Sequence, residues 1–348
     1  MDKIKVAIIG VGNCAKSLIE GIHFYSQNPQ ETVGLIHPTV GGYSISDIEI
    51  VEAFDVDERK VGKLLHEAVT MEPNRTMIIS EISPSKIIVK RGPTLDSIID
   101  ENRKYFIHES NKPSVDVAAT LKQSGAEVVL NYLPTGSDEA AFAYAQAALD
   151  AGCSFINCMP TKLGRDEKWI AKFSQKGLVL LGDDIKSQLG ATIVNRSILE
   201  LFKRRGFRVT QSDQTNFGGN ADHHNLHYRP DAKEECKETS LGSVLSKEDV
   251  KPNARMIYTE KNYDHKRASL FVMGEMFGKV PASVQVILDD EDSPNSGGIV
   301  VDAIRAVKVL IDKNVVDRAA EISASIMKAP YKQMSEEDSY GVFSEITN

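Results

Sequence analysis

Cysteine is scarce: four thiols in 348 residues, Cys14, Cys153, Cys158 and Cys236, and no C-x-x-C pair among them. Their spacing argues against a zinc ribbon or a redox disulfide and leaves them as reduced, mostly core residues. Long apolar runs are missing too. The run at residues 4–9 stops at Gly10, too short for a secretory leader or a membrane span, so a cytoplasmic protein without a membrane partner is expected. Basic charge is not in excess: 41 Lys and Arg against 49 Asp and Glu give a net charge of −8. The cations are scattered rather than gathered into an arm, which argues against a nucleic-acid partner. No repeat, heptad or low-complexity tract is visible. What remains, 41% hydrophobic and 26% charged residues, is the composition of a soluble globular protein of more than one domain.

The amino-terminal run feeds Gly10-Val11-Gly12-Asn13-Cys14-Ala15, the G-x-G-x-x-A form of the dinucleotide fingerprint. Gly10 permits a tight turn, Gly12 lets backbone approach a pyrophosphate, and Ala15 lets the following helix pack on the strand. A second strand over 48–55 ends in Asp55, placed to accept hydrogen bonds from ribose hydroxyls, which favours NAD over NADP. Asp55 lies 43 positions after Gly12 where about 20 is usual, so residues 26–47, rich in glycine and proline, read as an inserted loop. Helices are expected over 58–68, 115–123 and 137–151, and strands over 86–90, 126–134 and 154–157. That alternation is the doubly wound α/β pattern. Asn131, Pro134, Gly136 and Asn157 fall at carboxyl strand ends, where such sheets bind ligands.

Residues 182–188, Gly-Asp-Asp-Ile-Lys-Ser-Gln, put two carboxylates and an ammonium after a short apolar strand at 177–181. Ser187 is expected to open a helix whose free N–H groups can hold a phosphate; a plain helix cap with a solvated Lys186 fits the same residues. Beyond about residue 200 strands dominate, at 207–215, 269–273 and 283–288, which indicates a second domain on an antiparallel or mixed sheet. A helix follows over 297–311, and the end from Met334 is polar and expected to be mobile. Residues 216–227 gather amides, Asp222 and three histidines. His223 and His227 have the i,i+4 spacing of metal ligands, but no third ligand is obvious and no metal site is assigned. Asp264-His265-Lys266 and Asp292-Ser293-Pro294-Asn295-Ser296 add further polar groups, and Lys308 on the last helix fits a solvated residue.

These motifs, in this order, resemble the myo-inositol-1-phosphate synthase family, in particular its compact bacterial and archaeal branch. The resemblance rests on residues 11–15, 53–57, 91–96 (Arg-Gly-Pro-Thr-Leu-Asp), 132–137 (Tyr-Leu-Pro-Thr-Gly-Ser), 182–188, 218–220 and 292–296, and spans nearly the whole chain. It implies an NAD-binding Rossmann domain (1–200), an inserted mixed α+β sheet domain for catalysis and tetramer contacts (201–295), and a segment returning to the Rossmann domain (296–348). It also implies cyclisation of glucose 6-phosphate to 1L-myo-inositol 1-phosphate by oxidation at C5, enolisation, closure of C6 on C1 and re-reduction. Each step develops charge on oxygen, for which lysines are suited.

On this resemblance the catalytic candidates are Lys186, Lys237, Asp264, Lys308 and Asp184. Ser187, Asn220, Asp222, Asn225 and Lys233 are candidates for the substrate. The cofactor set is Gly10, Gly12, Asn13, Cys14, Ala15, Asp55, Tyr132, Pro134, Asp183, Asp292 and Ser293. The chain departs from the family where a Ser-Lys-x-x-Ser-Lys element is replaced by residues 232–237, Ala-Lys-Glu-Glu-Cys-Lys, so Lys233 and Lys237 compete for one role; Lys313 is the alternative to Lys308. Gly190 stands where many relatives have a lysine, and His223-His224 where they have apolar residues. A cyclase for another sugar phosphate, such as fructose 6-phosphate, and a non-catalytic NAD sensor are the competing readings.

Overall fold

The structure, a computed structural model, describes residues 2–347. Its first layer is a parallel sheet of β1 (Ile4–Ile9), β2 (Ile48–Asp55), β3 (Lys90–Arg91), β4 (Val128–Asn131), β5 (Ser154–Asn157) and β6 (Leu180–Leu181). The strands lie in the order 3-2-1-4-5-6, the arrangement of a dinucleotide-binding Rossmann sheet. β4 and β5 are buried along their whole length, as a sheet covered on both faces requires. α1 (Asn13–Gln27) packs on one face; α2 (Val117–Ser124), α3 (Asp138–Ala151) and α4 (Glu167–Ser174) cover the other. Gly125 and Gly152 end α2 and α3 in the left-handed conformation, where a residue without Cβ carries no steric penalty.

The insertion at 26–47 is not purely a loop: it holds a short hairpin, Thr39–Val40 with Tyr43–Ser44. The helix expected over 58–68 shrinks to Leu65–Ala68, because Gly62 at φ 89° interrupts it. The helix expected to open at Ser187 begins four residues later. α5 is Ala191–Arg204 with Gly190 as its N-cap, since the preceding peptides are held elsewhere: Gln188 N donates to Asn295 O (2.9 Å) and Leu189 N to Asn295 Oδ1 (2.9 Å).

α5 packs beneath the second sheet. This sheet contains β7 (Arg208–Gly218), β8 (Asn253–Tyr258), β9 (His265–Glu275) and β10 (Pro281–Glu291), ordered 8-7-9-10 with a parallel β8–β7 pair and antiparallel neighbours otherwise. The mixed character matches the reading from sequence. The scarcity of helices does not, because α6 (Ala221–Tyr228) and α7 (Asp231–Gly242) sit between β7 and β8. α8 (Asp292–Asp312) then returns to the Rossmann layer with most of its length buried, followed by α9 (Ala319–Ile326) and α10 (Glu336–Thr347). The polar tail is therefore a helix. Phe343 and Ile346 are buried at its inner face, each worth about 1.5–3 kcal/mol of transfer free energy, which is what anchors it.

Candidate active site

The first cleft runs along the carboxyl ends of β1, β2 and β4 and has an empty volume of about 1410 Å³. Gly10 sits at φ 88° with Tyr132 O only 2.8 Å from where a Cβ would stand, so the turn and the neighbouring strand both require glycine there. Gly12 is the N-cap of α1 and supplies no side-chain cap; a Cβ on it would meet nothing within 4 Å. The free N–H groups of α1 therefore open into the cleft, the arrangement that holds a pyrophosphate. Ala15 is fully buried at the contact between helix and sheet. Asp55 accepts from Val11 N at 2.8 Å through Oδ2, and from Val56 N (2.7 Å) and Asp57 N (2.9 Å) through Oδ1. It is thereby fixed at the cleft wall, beside a buried Lys60 that donates to Val11 O (2.8 Å). Asn13, Cys14, Tyr132, Pro134, Asp292 and Ser293 also line this cleft. Burial, with Asp264 and Asp292 nearby, pushes the Cys14 thiol up to about 12, so it stays protonated. The Tyr132 hydroxyl is buried and has no hydrogen-bond partner among the described residues. Cradle, carboxylate and open donors fit NAD.

Asp183 takes a different part. It is fully buried and accepts from Asn157 Nδ2 (2.7 Å), Gly164 N (2.7 Å) and Arg165 Nε (3.2 Å), so it ties the ends of β5 and β6 together. It does not line the cleft, and the cofactor role expected for it gives way to a structural one. Asn225 is likewise turned away, donating to Thr135 O (2.7 Å) and accepting from Asn102 Nδ2 (3.1 Å). Asp264 lies between the layers. Its Oδ1 accepts from Asn13 Nδ2 (3.0 Å), Asn220 Nδ2 (3.1 Å) and Ser293 Oγ (2.8 Å), which joins the fingerprint loop, α6 and α8 at one carboxylate.

The second pocket, about 510 Å³, adjoins the first and is lined by five lysines: Lys186, Lys233, Lys237, Lys266 and Lys328. Ser187, Asp222, His223 and Asp292 are also in its wall. The pairing of the lysines is uneven. Fully buried Asp184 accepts from Lys233 (2.8 Å) and Lys328 (3.2 Å), and Asp292 accepts from Lys266 (2.6 Å). Burial opposes each of these charges. For Lys233 the carboxylates of Asp184 and Asp222 outweigh it and raise its pKa; for Asp184 the two lysines outweigh it and lower its pKa. Lys328 stays below the usual lysine range, because burial there exceeds the help from Asp184.

Among the described residues Lys237 has no carboxylate within ion-pair distance: its ammonium donates to Met256 Sδ at 2.9 Å, and Asp184 acts on it only as the weakest of the charges nearby. Burial, then the charges of Lys266, Lys328 and Lys233, push it well below the usual lysine range. A buried amine that holds its proton so weakly has the chemistry a general base or acid needs. Lys186 is held from behind by the carboxylate of Glu336 on α10 (3.1 Å to each oxygen) and by Ala324 O (3.1 Å). Burial lowers its pKa although Glu336 opposes the shift.

Two further expectations are corrected. Lys308 is on the far side of α8, paired with Glu127 (3.5 Å) and Asp312 (3.0 Å); Glu127 precedes β4, at the amino edge of the sheet. Lys313 donates to Ile346 O, equally remote. The late lysine that does line the pocket is Lys328, which follows α9 where the chain runs beside the Asp-Asp-Ile-Lys segment: Lys328 N donates to Asp184 O (2.7 Å) and Lys186 N to Ile326 O (2.9 Å). Lys328 carried no motif of its own, and only this pairing reveals it. Lys266 was visible as part of a charged triplet without a role. His227 is exposed while His223 is buried, so the i,i+4 histidines do not share an environment.

A Rossmann cleft with a pyrophosphate cradle, opening into a lysine-lined pocket for an anionic substrate, defines a dinucleotide-dependent enzyme acting on a phosphorylated small molecule. The comparisons make this specific. The profile of the myo-inositol-1-phosphate synthase family matches residues 190–293. An inositol-3-phosphate synthase of Corynebacterium glutamicum is 41% identical over 96% of this chain and 95% of its own; one of Mycolicibacterium smegmatis is 39% identical over 96% and 95%. A solved myo-inositol-1-phosphate synthase-related protein from Thermotoga maritima shares the fold at a TM-score of 0.80, with 23% identity over 98% of this chain and 97% of that one. The chain belongs to the myo-inositol-1-phosphate synthase family.

Proposed function

We propose that the protein converts D-glucose 6-phosphate to 1L-myo-inositol 1-phosphate with bound NAD+, without net oxidation. The observation that carries this reading is Lys237, a buried amine with no carboxylate partner, beside four other lysines at the mouth of the nucleotide cleft. When bound, NAD+ supplies the reversible hydride acceptor. The chain's own groups do the rest. Lys233, paired with Asp184, remains charged and holds phosphate or a developing oxyanion, as fixed cations do in a water-poor site. Lys237 accepts the proton released as the sugar enolises and returns one at closure; its low proton affinity suits it to both. Lys186, Lys266 and Lys328 add positive potential, which lowers the energy of the enolate and of the alkoxide formed on C1. Asp264 positions Asn13 and Asn220 across the two layers. Asp222 lines both pockets, and burial raises its pKa, which lets it share a proton with a substrate hydroxyl.

In this reading the division into units keeps its order, with the boundary expected at residue 200, which falls inside α5, moved back to the turn at Gly190. A homotetramer in the cytoplasm completes it. The outward face of the second sheet pairs Phe217 with Ile257 and sets Phe271, Met273 and Ile287 among polar ladder partners such as Asp213, Gln211 and Ser269; Ile257 is 41% and Ile287 53% exposed, apolar side chains that another copy would cover. The test of function is carbon-13 NMR of labelled glucose 6-phosphate and, in parallel, fructose 6-phosphate with catalytic NAD+. The glucose series should give an inositol phosphate while absorbance at the NADH band stays flat. Stoichiometric NADH would mean a simple dehydrogenase, and product from fructose 6-phosphate alone would move the substrate assignment.

A further inference from the structure

His223 is 2% exposed, and its Nε2 is buried without a partner. The hydrogen bonds around the ring settle its tautomer. Asn220 Nδ2 points at the Asp264 carboxylate (3.1 Å), so Asn220 presents its oxygen to α6, where it accepts from His223 N (2.9 Å). The same oxygen stands 3.1 Å from His223 Nδ1, which must therefore carry the hydrogen. Nε2 is left as a bare acceptor. The ring lies over Gly218 and fills the space a side chain there would need, since a Cβ on Gly218 would lie 2.5 Å from its Cδ2, Cε1 and Nε2. Burial leads in pushing its pKa down to about 3, with Lys266, Lys237 and Lys233 acting against protonation and Asp292 in favour, so the ring stays neutral at physiological pH.

Charged lysines only donate, so they recognise phosphate and oxyanions but give no acceptor for the proton of a sugar hydroxyl, and the one amine that sheds its proton, Lys237, is committed to the reacting carbon. In the wall of the second pocket two acceptors without a partner among the described residues stand ready, Asp222 Oδ1 and His223 Nε2. Asp222 also faces the nucleotide cleft; His223 does not. We propose that His223 is a specificity-determining residue whose Nε2 accepts a hydrogen bond from a hydroxyl on a non-reacting carbon of the sugar phosphate. It thereby selects the hydroxyl pattern that the pocket admits. This rests on the second pocket's being a sugar-phosphate site, as the proposed function holds, and it adds a reader of hydroxyls to the readers of charge.

The test is calorimetric binding, to the NAD+-loaded protein, of glucose 6-phosphate and its 2-, 3- and 4-deoxy analogues, with the fructose 6-phosphate series alongside. Wild type, His223→Leu and His223→Gln are compared. Wild type should bind one deoxy analogue more weakly by roughly 5- to 150-fold, the span that one unsatisfied buried acceptor covers. His223→Leu should weaken the parent sugar and erase that ratio; His223→Gln, which keeps an acceptor, should restore part of it. In nitrogen-15 spectra of histidine-labelled protein the unprotonated Nε2 signal of His223 should move on adding sugar phosphate and not on adding inorganic phosphate. A wild type that treats all the analogues alike, or a leucine variant with the wild-type ratio, overturns the proposal. If the leucine variant does not fold, the glutamine variant and the nitrogen-15 shift decide. Failure of the cyclase reading would show instead as sugar phosphate bound without inositol phosphate formed.

Discussion

Replacing Lys237 by methionine should make the protein more stable and nearly inactive. The side chains are similar in length and shape, so packing is largely kept, while the change removes an amine whose one hydrogen bond goes to a thioether. Leaving a buried polar group so poorly satisfied costs about 1–3 kcal/mol, and that is the gain expected for Lys237→Met. In a chain of this size it corresponds to a rise in midpoint of roughly 2–4 °C per kcal/mol at most. Turnover should fall by about 10²- to 10⁴-fold, the usual worth of a positioned acid or base.

The pH dependence provides the sign. In the folded protein the proton affinity of Lys237 is depressed by burial and by three neighbouring ammoniums, whereas in the unfolded chain it is that of an ordinary lysine. Between the depressed folded pKa and about 10.4 the unfolded state binds the extra proton, so the wild type gains stability as pH rises through that window. Methionine does not titrate. The stability difference between variant and wild type should therefore be largest below the folded pKa and narrow steadily as pH is raised. Urea unfolding of the NAD+-free proteins at a series of pH values measures it, with carbon-13 product assays beside it. A destabilised Lys237→Met that retains turnover within about threefold of wild type would refute the assignment, since the amine would then be neither strained nor used.

Gly12→Ala should fold with stability within about 0.5 kcal/mol of wild type, because its Cβ would meet only open cleft. Its affinity for NAD+ should nevertheless drop at least about tenfold, read by fluorescence titration. Glu336→Gln withdraws the carboxylate from two buried cations, Lys186 at 3.1 Å and Arg196 at 3.1 Å. Glu336 is partly exposed and Arg196 keeps a bond to Met334 O (2.8 Å), so a loss of about 2–4 kcal/mol, rather than the full cost of an orphaned pair, is expected in urea melts. Lys328→Ala should reduce turnover by about 10²-fold or more, whereas Lys308→Ala, at the opposite edge of the sheet, should leave it within about twofold. The reverse order in the same assay would return the later lysine to α8.

How much of this was visible in the chain follows from what each feature depends on. The Rossmann half depends on local pattern: short apolar strands, the spaced glycines and the acid closing β2 are contiguous signals, and each was legible down to Asp55 and the insertion ahead of it. Between about residues 200 and 295 only the strands were legible, because α6 and α7 are polar helices with His223, Asn225, Lys237 and Ser240 among their buried residues. Lys308 was a candidate only through the family resemblance, its own pattern being that of a solvated helix residue; Asp292 and Ser293 at the first turn of its helix line the cleft while Lys308, more than four turns on, has left it. Lys328 and Glu336 were invisible for the complementary reason. Each acts through a partner about 150 positions away, Asp184 for one and Lys186 for the other. The Asp-Asp-Ile-Lys segment advertised its charges but not their recipients. Only the pairing of residues 183–186 with 326–329 shows that its acid organises two cations of the candidate site and that its lysine is held by the last helix. That arrangement predicts that loosening α10 alters catalysis before it unfolds the nucleotide domain: Phe343→Ala should lower turnover at denaturant concentrations that leave NAD+ binding intact.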